Sequence, residues 1–171
     1  MKKPNFFILG APKCGTTSLA AWLSQHPQVF MSPAKEPHHF NADHKNRGYK
    51  ERSHYESLFS RAKDHHIAVG EASVWYLYSQ VAVSLIEEYS PESRYIVCLR
   101  NPVDMAYSLH EQQLVSGNEH LNCFSEAWEL SDQRLKANSV SRWCVEPSQL
   151  AYGEACKLGG QMERLYDRVP K

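Results

Sequence analysis

The sequence predicts an α/β domain built on a mainly parallel sheet flanked by helices. Short apolar runs of strand length alternate with stretches whose apolar residues recur at helical spacing. The first run, Phe6-Phe7-Ile8-Leu9, leads into a glycine-bounded turn and then a helix start. Each later run is followed by enough chain for a crossover, which parallel strands require. Such sheets are covered on both faces and bind ligands beyond the carboxyl ends of their strands.

Phe6 to Leu9 reads as a buried strand, and residues 16–25 as a helix with Leu19, Ala20 and Leu23 on one face. His26-Pro27 ends that helix, and Val29-Phe30-Met31 forms a second short strand. Residues 32–48, with their prolines, histidines and lysines, read as a long loop, a kind of segment that is often functional. The spacing predicts a helix over residues 54–63 with Tyr55, Leu58, Phe59 and Ala62 inward, then a third strand over residues 67–70. Residues 79–89 are helical in pattern until Pro91 stops them, and residues 95–99 read as the most buried strand. Asn101 caps a helix that begins near Pro102, where proline suits the first turn. Residues 124–135 and 149–166 each read as one helix, the second weakened by Gly153, Gly159 and Gly160. At 171 residues, without repeats or an evident linker, the chain is expected to form a single domain over its full length.

Nineteen basic and 19 acidic residues balance to a net charge of zero. A global basic field for nucleic acid is therefore excluded, and any anion site must be local. No apolar stretch approaches the roughly 20 residues of a membrane span. Lys2-Lys3 followed by Phe6 to Leu9 is too short an apolar run for a secretion signal. The five cysteines are odd in number and lack C-x-x-C spacing, which disfavours a disulfide framework or a zinc site. Cys98, in an apolar run, reads as core. The nine histidines include no H-E-x-x-H pair, so hydrogen bonding or solvation is expected of them rather than metal ligation. Unpaired cysteines and the lack of a leader give a cytoplasmic location as the expectation.

The turn Gly10-Ala11-Pro12-Lys13-Cys14-Gly15-Thr16-Thr17-Ser18-Leu19 has the chemistry of an anion site. Gly10 and Gly15 permit a positive φ and close backbone approach. The first N–H groups of the following helix lack intrahelical partners and carry the positive end of its dipole. Thr16, Thr17 and Ser18 add hydroxyls, Lys13 adds a full charge, and Cys14 lies among them. The glycine spacing fits the triphosphate loop G-x-x-x-x-G-K-[ST], but Thr16 stands where the lysine belongs and Lys13 sits inside the loop. An anion of a different shape is expected.

Two further segments carry chemistry. Arg100 at a strand end offers a planar fork to a phosphate, and Ser108, eight positions on, a hydroxyl; pairing of Arg100 with Asp104 is the structural alternative. Lys35-Glu36-Pro37-His38-His39-Phe40 places a carboxylate beside cations, as a general base for a hydroxyl or amine needs. Glu71 and Ser73, at the end of the third strand, add a carboxylate and a hydroxyl expected to face the same crevice. A purely structural role as hydrogen-bond acceptor is the alternative for Glu71. Tyr76 and His39 are candidates to line an acceptor cleft.

Together these segments resemble the sulfotransferases that use 3′-phosphoadenosine 5′-phosphosulfate, a family of P-loop-like architecture. Gly10 to Leu19 resembles the family's 5′-phosphosulfate loop, and Arg100 to Ser108 its 3′-phosphate motif. Lys35 to Phe40 is similar to the K-E-x-H-F-F segment of the glycan-directed branch, whose glutamate is the proposed base. Gly70 to Ser79 is similar to a segment of bacterial members. The resemblance implies Lys13 and Glu36 as catalytic residues, and Lys13, Cys14, Gly15, Thr16, Thr17, Ser18, Arg100 and Ser108 as donor-binding residues. It implies sulfuryl transfer to a small-molecule or glycan hydroxyl or amine, with no metal. Glu36, His39, Glu71, Ser73 and Tyr76 are the acceptor-side candidates. His39 stands where the glycan branch has phenylalanine, Ala72 where heparan-type enzymes have lysine, and Val74 where proline is usual. Ser18 stands where the cytosolic small-molecule branch has tryptophan. Relative to the family, the C-terminal strand and glycine-rich loop are expected to be lacking after Lys171. A nucleotide kinase or NTPase, and a non-catalytic nucleotide-binding remnant, are the alternative readings.

Overall fold

The computed structural model describes residues 2–136, 140 and 142–169, so Pro170 and Lys171 lie outside the described residues. It divides into two compact units, residues 1–99 with 162–171, and residues 100–161.

The first unit contains a four-stranded parallel sheet of order β2-β3-β1-β4. β1 (Phe6–Gly10) is central and buried throughout, because its all-apolar start is covered on both faces. Phe6 and Ile8 pack with Ala72 against Leu19, Ala20 and Leu23, the expected inward face of α1 (Thr16–Leu23). On the other face the Phe7 ring meets Phe40 edge-on at 5.9 Å. β2 (Val29–Met31) pairs with β3 (Ala68–Ala72), which pairs with β1 in the register Phe6 to Gly70 and Ile8 to Ala72.

Phe6 and Gly70 leave no room for a further side chain. A Cβ on Gly70 would lie 2.4 Å from the Phe6 ring. Gly70→Ala is expected to lower stability by about 1–3 kcal/mol through overpacking. Denaturant unfolding checks this, and an unchanged midpoint would show that the ring gives way freely.

Several elements differ from the sequence expectation. β4 (Arg94–Val97) is not the most buried strand; Arg94 is exposed and its next three residues only half-buried. It is an edge strand with one neighbour, so its apolar sequence gives no sign of its position. Leu99 is 53% exposed and Cys98 is half-buried rather than core. α2 (Arg52–Ser57) is shorter than the predicted 54–63 because the chain tightens into three-residue turns from Phe59 to Ala62. Tyr55 and Phe59 are nevertheless buried as expected. α3 (Ala82–Tyr89) starts later than residue 79, because the Ser79 hydroxyl accepts the N–H groups of Val81 and Ala82 and holds a turn ahead of it.

The second unit begins with α4 (Pro102–Val115), capped by the Asn101 side chain, which accepts the Val103 N–H at 2.9 Å. The single helix predicted over 124–135 is two, α5 (Phe124–Glu129) and α6 (Ser131–Arg134). The second predicted helix is also divided, into a 3-10 turn (Pro147–Leu150), α7 (Tyr152–Ala155) and α8 (Leu158–Arg168). Its break falls at Cys156 and Lys157, ahead of the glycine pair, where the Leu158 N–H donates to the Cys156 carbonyl. α6 ends on a buried charge. Arg134 is fully buried, pairs with Glu119, and donates to the Leu150 carbonyl, while the Tyr152 hydroxyl donates to Glu119 at 3.0 Å. Among the described residues no helix is long and apolar enough to cross a membrane.

Candidate active site

The carboxyl ends of β1 and β3 carry the candidate residues of the first unit. Ile8 and Ala72 are register partners, so the loop after Gly10 and the chain around Ala72 leave the same end of the sheet. The Leu77 N–H donates to Leu9 and the Ser73 N–H to Ile8, which fixes the segment after β3 against β1. The Cys98 N–H donates to Gly10 at 2.8 Å, closing the other side of the loop's root.

Lys13 stands inside this loop, half-buried, in the left-handed region at φ 63°. Gly15, at φ 83°, is the N-cap of α1. It has no side chain to cap the helix, so the N–H groups of the first turn keep their capacity for an external anion. Thr16 is buried, whereas Gly15, Thr17 and Ser18 are exposed. Cys14 is half-buried, and its thiol donates to the Pro12 carbonyl at 3.4 Å.

Glu36 is held differently. Its N–H donates to the carbonyl of Ala72 at 2.9 Å, tying it to the end of β3. Its backbone is left-handed at φ 63°, as is that of His38 at φ 50°. For residues other than glycine this conformation costs on the order of 1–2 kcal/mol each, a strain that persists only where the surroundings enforce it. The Lys35 ammonium donates to Oε1 at 2.7 Å and the His38 Nε2 to Oε2 at 3.0 Å. A carboxylate only accepts, so Nε2 carries the proton. Burial acts to raise the Glu36 pKa, but the hydrogen bonds from His38 and Lys35 and the Lys35 charge outweigh it. The carboxyl therefore lies below its ordinary value, and Glu36 is ionised and a third exposed.

Glu71, Ser73 and Tyr76 do not face an open crevice. Each is 0% exposed, and His39 only 7%. The Glu71 carboxylate accepts the hydroxyls of Ser73 (2.7 Å), Tyr76 (2.8 Å) and Tyr55 (3.2 Å). Burial pushes its pKa up to about 7, against the lowering effect of these hydrogen bonds and of His38. The expected acceptor-side placement of these residues is thus corrected, because three hydroxyls draw the carboxylate inward. The His39 ring stacks on Tyr55 at 4.3 Å, and its Nδ1 donates to the Tyr49 carbonyl, which keeps it in the packing.

In the second unit Arg100 is exposed, and Ser108 is half-buried on α4. Two residues take on roles here that their sequence setting does not assign. His38 stands in the Lys35 to Phe40 segment two positions after Glu36, and the structure makes it the second donor to that carboxylate. Tyr55 has the spacing of a core residue, and nothing in that spacing discloses that its hydroxyl meets Glu71.

The sulfotransferase domain family matches residues 3–145. This chain belongs to the sulfotransferase family. The crystal structure of a sulfotransferase from Alicyclobacillus acidocaldarius superposes with a TM-score of 0.85 at 31% identity, covering 99% of this chain and 70% of that one. Carbohydrate sulfotransferase 15 of Mus musculus is 31% identical over 147 residues, covering 61% of this chain. Human heparan sulfate glucosamine 3-O-sulfotransferase 6 is 35% identical over 111 residues, covering 65% of this chain. Human bifunctional heparan sulfate N-deacetylase/N-sulfotransferase 2 is 32% identical over 152 residues and 84% of this chain. The chain spans 26%, 31% and 17% of the length of these three proteins. In this chain Lys13 and Glu36 share a setting: each is a left-handed residue in a loop leaving the carboxyl end of the sheet.

Proposed function

We propose that this sulfotransferase-family chain moves a sulfuryl group from 3′-phosphoadenosine 5′-phosphosulfate to a hydroxyl or amine of a carbohydrate acceptor. The observation that carries the reading is the loop after β1, where a charged lysine precedes a helix start whose cap is a glycine. Its donor set fits the group: the Lys13 ammonium, the N–H groups of Gly15 to Ser18 and the hydroxyls of Thr16 and Thr17 all favour a polyanion. The carbohydrate class rests on the three relatives, whose names denote glycan enzymes.

In such a transfer the acceptor oxygen or nitrogen bonds to sulfur as the sulfur–oxygen bond to the nucleotide phosphate breaks. Lys13 neutralises the charge that gathers on the leaving oxygen, and backbone N–H groups hold the equatorial oxygens. Glu36, ionised and restrained by Lys35 and His38, receives the acceptor's proton. Arg100 and Ser108 recognise the 3′-phosphate and so select this donor over ATP.

Calorimetry with adenosine 3′,5′-bisphosphate, followed by transfer of labelled sulfate to a desulfated glucosamine–uronic acid polysaccharide, tests the reading. Binding of ATP with magnesium, and none of the bisphosphate, would overturn it. Arg100→Ala is expected to lose about 1.5–3 kcal/mol of preference for the bisphosphate over adenosine 5′-monophosphate, the worth of a charge-assisted contact. Titration of the variant with both nucleotides measures this, and an undiminished preference removes Arg100 from the role.

A further inference from the structure

Four residues on three segments converge beneath the Glu36 loop. Glu71 lies on β3, Ser73 and Tyr76 follow that strand, and Tyr55 comes from α2. All four are 0% exposed, and each of the three hydroxyls donates to the Glu71 carboxylate. Two of these hydroxyls also accept from the loop above. The Ser73 Oγ takes the His38 N–H at 3.1 Å, and the Tyr76 oxygen takes the N–H groups of His39 at 2.9 Å and Phe40 at 3.3 Å.

We infer that Glu71 is a positioning residue for the proposed base. Its buried carboxylate, acting through the Ser73 and Tyr76 hydroxyls, holds three consecutive amides and thereby fixes the left-handed backbone that presents Glu36 and His38. The inference rests on the reading of Glu36 as base.

Hydrogen-bond polarity makes the case specific. A hydroxyl has one proton to donate. The Tyr76 oxygen already accepts two N–H groups, so its own proton must point to an acceptor, and only an acceptor-rich group at Glu71 serves all three hydroxyls at once. Glutamine at that position has the same shape but replaces one acceptor by a donor. A hydroxyl proton is then left buried without a partner, and the chain of bonds to the loop is broken or reversed. The stretch has other ties: the Arg47 Nε–H and the Ala42 N–H donate to the carbonyls of His39 and Phe40, the His39 Nδ1 donates to the Tyr49 carbonyl, and the Glu36 N–H on Ala72 and the Tyr49 N–H on Pro37 hold the edges. None of these uses the N–H groups of His38, His39 or Phe40, which the Ser73 and Tyr76 hydroxyls accept.

The test combines amide hydrogen exchange, read residue by residue, with steady-state transfer to the same desulfated polysaccharide. Glu71→Gln is expected to speed exchange of the His38, His39 and Phe40 amides at least tenfold while leaving β1 protected. It should lower kcat at least tenfold, with the affinity for adenosine 3′,5′-bisphosphate and the donor KM within twofold of wild type. Ser73→Ala should expose the His38 amide alone, and Tyr76→Phe the amides of His39 and Phe40 alone. These two variants decide the matter should Glu71→Gln fail to fold. Unchanged exchange at the three amides, or an even rise across the whole chain, overturns the inference. So does a kcat per folded molecule equal to wild type. A wild-type protein that binds no bisphosphate overturns the functional reading instead, and the amide pattern alone then decides the role of Glu71.

Discussion

Replacing Lys13 by alanine is expected to reduce sulfuryl transfer by about a thousandfold in kcat/KM and to weaken nucleotide binding together with it. Loss of one preorganised donor at a developing oxyanion costs roughly 10²–10³ in rate, and here a full charge goes as well. The effect should fall on both steps, because Lys13 serves the bound donor and the leaving oxygen alike. Its backbone is left-handed at φ 63°, a conformation that costs alanine about as much as lysine, so the variant should keep its fold. Calorimetry with adenosine 3′,5′-bisphosphate and initial rates of labelled sulfate transfer give the two numbers. A variant that binds and turns over like wild type would remove Lys13 from the site.

Glu36→Gln should separate the two steps. Transfer is expected to fall by about 10²–10⁴, the usual contribution of a positioned general base, while bisphosphate affinity stays within about twofold. The charge state sets the pH dependence. The Glu36 carboxyl lies below 4.5, so it is ionised throughout the neutral range and loses its charge only as pH falls through that lowered value. Glu71, raised to about 7, takes up a proton well before that. The groups facing it are the hydroxyls of Tyr55, Ser73 and Tyr76 and the His38 ring, and when it becomes neutral one of its oxygens turns donor, so that a hydroxyl proton loses its acceptor. Wild-type kcat should therefore decline as pH drops through about 7. The same shift has a stability consequence of opposite sense. The folded chain holds the Glu71 proton up to about 7 and the unfolded chain only to about 4.5, so this residue's contribution to stability falls as pH rises between those values. A Glu36→Gln enzyme that turns over normally would exclude Glu36 as base. A wild-type profile flat from pH 8 to 5 would separate Glu71 from activity.

Much of the architecture was legible because its signals are local. The apolar run Phe6 to Leu9, the glycine pair at 10 and 15 and the helical spacing of Leu19, Ala20 and Leu23 depend on neighbours a few residues away, and the core follows them. The placement of β4 was not legible. Its sequence suits a central strand, and only the strand order shows it at the edge. The breaks at Leu130 and at Cys156 are not legible for a similar reason: apolar periodicity continues across them, and the partner of the buried Arg134 beside the first is Glu119, fifteen positions away. In the candidate site, Glu71 carried no mark separating a crevice carboxylate from a buried one.

The sequence by itself determined the chemical parts: an anion loop with its lysine inside, an arginine and serine eight residues apart, and a glutamate flanked by lysine and histidine. These are covalent spacings, and they survive any packing. Only the tertiary structure decided which polar groups meet one another. It buried Glu71, Ser73 and Tyr76 beneath the Glu36 loop and drew Tyr55 to them from α2. A buried carboxylate must find hydrogen-bond donors wherever the fold brings them, and the donors that Glu71 finds lie two, five and sixteen residues away in the chain.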